Sequence, residues 1–160
     1  MGKIVNLDEL KILRQEFRKK QQKVVFTNGV FDILHRGHIE YLNKAKKLGD
    51  ILVVGINSDD SVRKIKGNKR PIVKQDDRAY LISNICCVDF VCIFKEETPL
   101  NLISEIIPDV LVKGADWNKE NIVGKDIVEN NGGKVETIEF VPQCSTTNII
   151  DIIIERYCNQ

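Results

Sequence analysis

Short apolar, β-branched runs alternate with helical patterns along most of this chain, and that alternation leaves few architectures open. The strand-type runs are Lys23–Thr27, Ile51–Ile56, Val88–Phe94, Val110–Lys113 and Lys134–Phe140. Helical patterns fall between and after them, at Gly37–Leu48, Asp76–Ile85, Pro99–Ile106, Gly124–Asn130 and Thr146–Tyr157. Strands that read as nearly continuous hydrophobic runs are buried on both faces, and strands joined through helices run parallel. The expected fold is a single doubly wound α/β domain around a five-stranded parallel sheet. Thr98-Pro99 has the form of a helix start, a capping hydroxyl followed by proline, and Gly132-Gly133 that of a helix stop. Ahead of the first strand, Leu7, Leu10, Leu13 and Phe17 share one helical face behind Asn6 and Glu9. Residues 1–22 are therefore expected to form an amphipathic leader helix, and residues 23–160 the α/β domain.

Composition narrows the function classes. With 160 residues the chain is long enough to bury a core without disulfide or metal staples. Its 24 basic and 23 acidic residues leave a net charge of +1, so nothing steers it toward nucleic acid. The five cysteines are odd in number and lack Cys-x-x-Cys spacing; Cys86, Cys87 and Cys92 lie within the apolar run Ile85–Phe94, where thiols behave as small hydrophobes. No stretch has the length of a membrane span, and the N-terminus does not read as a signal peptide. The expectation is a cytoplasmic protein with reduced thiols and no membrane partner.

In a doubly wound sheet, ligands bind beyond the carboxyl ends of the strands. Polar residues cluster at those positions here. Asn28, Gly29, Asp32, His35 and His38 follow the first strand, Asn57, Ser58 and Asp59 the second, Lys113, Gly114 and Asp116 the fourth, and Ser145, Thr146 and Thr147 the last. His35 and His38 are the only two histidines in the chain, three apart around Gly37 at a helix start. Two imidazole donors, a residue without a side chain and a helix N-terminus together suit a phosphate group. Ser145-Thr146-Thr147 reads either as an ordinary helix cap or as a second anion cradle. Lys64, Lys66, Lys69 and Arg70 around Gly67 read either as a solvated basic loop or as a phosphate-gathering one. Arg78, behind Asp76 and Asp77, fits a local ion pair equally well.

Other nucleotide and hydrolase signatures are missing from the sequence. There is no Gly-x-x-x-x-Gly-Lys-[Ser/Thr] loop, no Gly-x-Gly-x-x-Gly after the first strand and no Gly-x-Ser-x-Gly elbow. Nothing has zinc-ligand spacing, so no protein-held metal is expected.

Taken together, the His-x-Gly-His turn after the first strand and the Ser/Thr-rich start of the last helix resemble the nucleotidylyltransferase superfamily. Leu48-Gly49-Asp50, Asn57-Ser58-Asp59, Lys66-Gly67, Arg70-Pro71, Arg78 and Pro108-Asp109 stand in that family's order. Leu111–Asp116 and Cys144–Ile150 are most similar to adenylyltransferases that act on D-glycero-β-D-manno-heptose 1-phosphate. The resemblance implies a Rossmann-like fold of the His-x-Gly-His type, ATP with Mg²⁺, a sugar 1-phosphate acceptor, ADP-heptose as product and a homodimer. It also implies a separate heptose kinase upstream, because the kinase half of the bifunctional enzymes is not part of this sequence.

The same resemblance assigns residues. His35, His38 and Lys66 would carry catalysis. Thr27, Asn28, Gly29, Phe31, Gly37, Asn57, Lys113, Gly114 and Asp116 would bind the nucleotide with the two histidines, and Ser145, Thr146 and Thr147 would hold its β/γ end. Asp32, Lys66 and Arg78 would face the acceptor. Glycerol-3-phosphate cytidylyltransferases carry an arginine just before the Ser-Thr-Thr, and Phe140–Gln143 has none, which argues against cytidylyl transfer. A cytidylyltransferase acting on a small phosphate, and a non-catalytic nucleotide-binding module, stand as the alternatives.

Overall fold

A computed structural model describes residues 1–115, 121–139 and 144–158. Six parallel strands form one sheet in the order β1-β4-β3-β2-β5-β6: β1 (Lys3–Ile4), β2 (Val24–Gly29), β3 (Ile51–Asn57), β4 (Phe90–Phe94), β5 (Val110–Gly114) and β6 (Lys134–Ile138). The helices are α1 (Leu7–Lys19), α2 (Arg36–Lys46), α3 (Asp59–Lys66), α4 (Gln75–Ser83), α5 (Leu100–Ile106), α6 (Lys125–Asn130) and α7 (Thr146–Tyr157).

Period-two alternation divides the strands between two cores. Val25, Leu52, Val54 and Val91 face α2 and α4, packing on Leu42, Ala45, Ala79 and Ile82. Val24, Phe26, Val53 and Leu111 face the opposite layer, where Leu10 and Phe17 of α1, Ile103 and Ile106 of α5 and Val128 of α6 close over them.

The doubly wound parallel fold matches the sequence expectation; the strand count is a correction, six rather than five. The additional strand is β1, whose two residues pair with Phe90 and Val91 at the sheet edge. Two residues are too few to show an alternating pattern. The helix α3 is also new, since its charged face reads as a loop and only Ser61 and Val62 are buried. The leader helix forms with the expected capping box of Asn6 and Glu9. It belongs to the body of the domain. Arg14 on its buried face donates to Ile106 O at 3.0 Å and to Asp109 Oδ1 at 3.0 Å, and Asp109 in turn accepts from Val24 N at 2.7 Å.

Strand order reverses direction between β2 and β5. The crevice beyond their carboxyl ends is where an open α/β sheet binds its ligands.

Candidate active site

A cavity of about 500 Å³ opens at that crevice. Its floor is Asn28 and Gly29 at the end of β2 with Phe31 after it, and its walls come from His38 and Tyr41 of α2, Asn57 at the end of β3, Ile65 and Lys66 of α3, Glu97–Pro99 after β4, and Lys113 and Gly114 of β5.

Local chemistry explains the floor. Phe31 has φ 50°, the left-handed conformation, and turns the chain sharply away from the strand. Its ring then folds back over Gly29, where a Cβ would lie 3.0 Å from Phe31 Cε2. The edge of the same ring meets His38, centroids 5.2 Å apart. From the other side, Lys113 Nζ donates to Asn28 Oδ1 and ties β5 to the end of β2.

His35 and His38 stack with ring centroids 3.8 Å apart and planes 23° from parallel. The Nδ1 atom of each is buried and has no hydrogen-bond partner among the described residues. Burial lowers the pKa of His35. Burial first, and the neighbouring His35 second, lower that of His38 to about 4. Both rings are therefore neutral at pH 7. His35 is also the N-cap of α2, yet its side chain makes no capping hydrogen bond and no acid occupies the first turn. His38 N bonds back to His35 O at 3.0 Å; the remaining first-turn N–H groups and the positive dipole end have the character that suits an anion. Gly37 is needed here, because a Cβ would come 3.0 Å from both Cys144 Cβ and His35 Nδ1. The starts of α2 and α7 thus meet at this one residue.

The hydroxyl run at α7 has divided duties. Ser145 Oγ caps the helix by accepting from Asn148 N at 3.0 Å. Thr146 Oγ1 donates to Ile33 O at 3.3 Å, holding α7 against the histidine loop, and Thr147 is exposed. Lys66 ends α3 and lines the cavity; Gly67 follows it with φ 87° and stops the helix.

Three expected contacts need correction. Thr27 is fully buried and its hydroxyl is hydrogen-bonded to Tyr41 Oη at 2.7 Å, so it fixes α2 to β2 instead of touching nucleotide. Asp32 does not present its carboxylate to an acceptor. The group is enclosed, 2.5 Å from Arg70 Nε and accepting from Val73 N at 2.8 Å and Ile72 N at 2.9 Å. Burial pushes its pKa up, but those N–H groups and Arg70 prevail and hold it below the ordinary value. Arg78 is fully buried, donating through Nε to Val73 O at 2.9 Å, through Nη1 to Val30 O at 2.7 Å and through Nη2 to Asp59 Oδ1 at 2.7 Å. Asp32 and Arg78 therefore lock segment 30–32 to segment 70–73 and act on the cavity through those loops. Asp116 lies outside the described residues.

The cavity also includes residues outside the expected set: Val30, Tyr41, Ile65, Glu97, Thr98, Pro99 and Val123. Glu97 and Thr98 follow a strand, so the strand-end rule applied to β4 would have found them. The helix-start signature at Thr98-Pro99 had given that threonine a local role instead.

Fold and site together define an α/β protein with a crevice at its switch point, where a stacked histidine pair sits at a helix start. The sequence profile of the cytidylyltransferase-like family matches residues 26–152. Among curated relatives, proteins named "Bifunctional protein HldE" are 51% identical over 159 residues in Trichlorobacter lovleyi, 52% over 156 residues in Geobacter metallireducens and 50% over 150 residues in Helicobacter pylori. These alignments cover 94–99% of this chain and 31–32% of the relatives, so the chain spans about a third of their length. The crystal structure of the lipopolysaccharide core biosynthesis protein from Thermoplasma volcanium superposes with a TM-score of 0.62 and 32% identity, covering 75% of this chain and 97% of that one. A pantoate-beta-alanine ligase from Francisella tularensis shares the fold, with a TM-score of 0.67 at 22% identity over 97% of this chain and 77% of its own. The chain belongs to the cytidylyltransferase-like family.

Proposed function

We propose that this chain is an adenylyltransferase that moves AMP from ATP onto D-glycero-β-D-manno-heptose 1-phosphate, releasing ADP-heptose and pyrophosphate. The observation that carries the reaction type is the stacked histidine pair, with its two unpartnered Nδ1 atoms, at an uncapped helix start. The sugar is supported by identity near one half to the HldE proteins over almost the whole chain, and by the likeness of Leu111–Asp116 and Cys144–Ile150 to heptose 1-phosphate adenylyltransferases.

In this reaction a phosphate oxygen of the sugar attacks the α-phosphorus in line. One P–O bond forms, the bond to the β-phosphate oxygen breaks, and its electrons leave with pyrophosphate. The attacking phosphate is ionised at pH 7, so no strong general base is required, and Asp32, enclosed by Arg70 and two amides, is not positioned to be one. Positioning and charge stabilisation do the work. His35 and His38, with the first-turn N–H groups of α2, hold the α-phosphate as it gains charge. Lys66 neutralises the phosphates as they approach. The first turn of α7 holds the β/γ end, and Asn28, Gly29, Phe31, Lys113 and Gly114 receive the nucleoside.

Among the described residues no group of three or more His, Cys, Asp or Glu could hold a metal ion alone. Mg²⁺ would enter with the triphosphate, because it keeps most of its waters and binds chiefly to phosphates. When bound it neutralises charge on the triphosphate. The proposal extends to a homodimer and to a separate phosphoryl-transfer step that supplies the sugar 1-phosphate. No helix among the described residues is long and apolar enough to cross a membrane.

A pyrophosphate-release assay crossing ATP and CTP with heptose 1-phosphate and glycerol 3-phosphate tests the reading. Turnover is expected with ATP and heptose 1-phosphate. Turnover with CTP and glycerol 3-phosphate alone would replace it with cytidylyl transfer, and no release with any pair would leave a nucleotide-binding module.

A further inference from the structure

The β4–α5 connection presents two polar side chains that the reaction above leaves unused. Glu97 and Thr98 line the same cavity as His38 and Lys66. Both are exposed, and neither has a hydrogen-bond or ion-pair partner among the described residues. Thr98 is available because α5 begins one residue later than its helix-start signature predicts. The N-cap is Pro99, and no side chain caps the helix.

Their position is held from behind by a buried relay. Asn57 Nδ2 donates to Ser61 Oγ at 2.9 Å, and Ser61 Oγ donates to Glu96 O at 2.7 Å. Asn57 is 3% exposed and Ser61 0%, so the end of β3, the first turn of α3 and the residue before Glu97 move as one piece. Ser58 N adds a bond to Phe94 O at 2.8 Å. This is a rigid wall rather than a loose loop.

Charge decides what that wall can face. The other charged side chains lining the cavity are Lys66 and Lys113, and a carboxylate among transferring phosphates would repel them. Glu97 must therefore meet a neutral, hydroxyl-bearing part of a ligand. In the sheet order β4-β3-β2-β5, Glu97–Thr98 and Lys113–Gly114 stand three strand spacings apart, or about 14 Å. With the nucleoside at the β5 end and the phosphates between, the β4 end falls to the acceptor. A carboxylate, a hydroxyl and an amide on one rigid wall are the donors and acceptors a polyol needs.

We propose that Glu97 and Thr98, backed by Asn57, bind hydroxyl groups of the acceptor sugar and set acceptor specificity. The inference rests on the sugar 1-phosphate reading above. Steady-state pyrophosphate release by Glu97→Gln and Thr98→Val, both at exposed positions, tests it. The KM for heptose 1-phosphate is expected to rise about 10- to 100-fold in Glu97→Gln and less in Thr98→Val. The KM for ATP and kcat should stay within about twofold, and Thr98→Ser should recover most of the loss. An unchanged acceptor KM in an active enzyme overturns the inference and leaves the reaction standing. A raised ATP KM, lost again when 2′-deoxy-ATP or 3′-deoxy-ATP is the substrate, gives the wall to the ribose and also overturns it. Saturation-transfer NMR with glucose 1-phosphate, mannose 1-phosphate and heptose 1-phosphate separates the two readings if turnover is absent. Binding weakened by Glu97→Gln supports the subsite although the reaction reading has failed, and binding unaffected by it, or no binding at all, overturns the subsite too.

Discussion

Arg78 is where sequence and structure disagree most sharply, and the disagreement can be measured. In the sequence it stands among residues expected on the acceptor; in the structure its guanidinium is fully buried and spent on Val73 O, Val30 O and Asp59 Oδ1. Arg78→Met keeps most of the stem's packing but leaves one carboxylate and two carbonyls without their donor. Removing one partner of a buried ion pair costs about 3–5 kcal/mol. Here the lower end applies, because the Asp59 side chain is 23% exposed and lies in the first turn of α3, where water and the helix dipole still stabilise its charge. A loss of about 3 kcal/mol corresponds to a fall in Tm of roughly 6–12 °C for a domain of this size. Urea unfolding and calorimetry of Arg78→Met and Arg78→Lys should show the drop in both. Lysine should do little better than methionine, since an ammonium cannot reproduce the fork that reaches three separate acceptors. In kinetics below the melting range, kcat should fall as segment 70–73 loosens, without a selective rise in acceptor KM. A variant with wild-type Tm and a raised acceptor KM would refute the buried-lock reasoning and return Arg78 to direct substrate contact.

Three further outcomes follow from the site's geometry. His35→Ala and His38→Ala should each lower kcat by about 10²–10³ while changing the KM for ATP little, because each removes a donor that matters most as charge builds; near-normal turnover of His38→Ala would sink the catalytic assignment. His38 titrates near 4 when folded against an ordinary value of 6.5. Between those limits the unfolded chain therefore binds protons the folded one does not, and stability is lost as pH falls. His38→Gln should remove about 1 kcal/mol of that loss at pH 5, read as the difference in urea midpoints between pH 7.5 and pH 5. Gly37→Ala should cut kcat at least tenfold with a well-folded circular dichroism spectrum, because the added methyl must displace either His35 or the start of α7; full activity would show that the two helix starts are not held in register there.

What the sequence made legible was whatever depends on local pattern. The buried strands announced themselves by continuous apolar runs, and the histidine loop by being the one place the chain uses that residue. Where an element is too short or too charged to show a period, as with Lys3–Ile4 and Asp59–Lys66, pattern carries no signal. The misplaced site residues share another cause. Asp32 finds Arg70 across 38 positions and Arg78 finds Asp59 across 19, and such pairings are products of the fold. A charged residue close to a motif in sequence looks like a ligand for the same substrate until its true partner is visible. Thr98 failed in the opposite direction, because a plausible local role as a cap hid its exposure to the cavity.

Those pairings also explain how the polyphosphate site proposed above can be rigid without being crowded with competing charge. Asp32–Arg70 and Asp59–Arg78 join the loops around the cavity, yet each pair is internally neutral and points its charge at its partner. What remains between the β5 and β4 ends of the cavity is cationic or dipolar: Lys66 and the start of α2, where no acid occupies the first turn. The two imidazoles, held neutral by burial and, at His38, also by the neighbouring His35, add hydrogen-bonding capacity with no fixed charge. Among the described residues lining the cavity, Glu97 is the acid, and it stands at the end away from β5. On the proposed reaction, charge is thus sorted along the crevice, with cation and donors on the phosphates and the carboxylate of Glu97 on the acceptor hydroxyls. Reversing it, with an acid near His38 or a lysine at position 97, would draw the triphosphate away from the histidines and lose the in-line geometry on which the transfer depends.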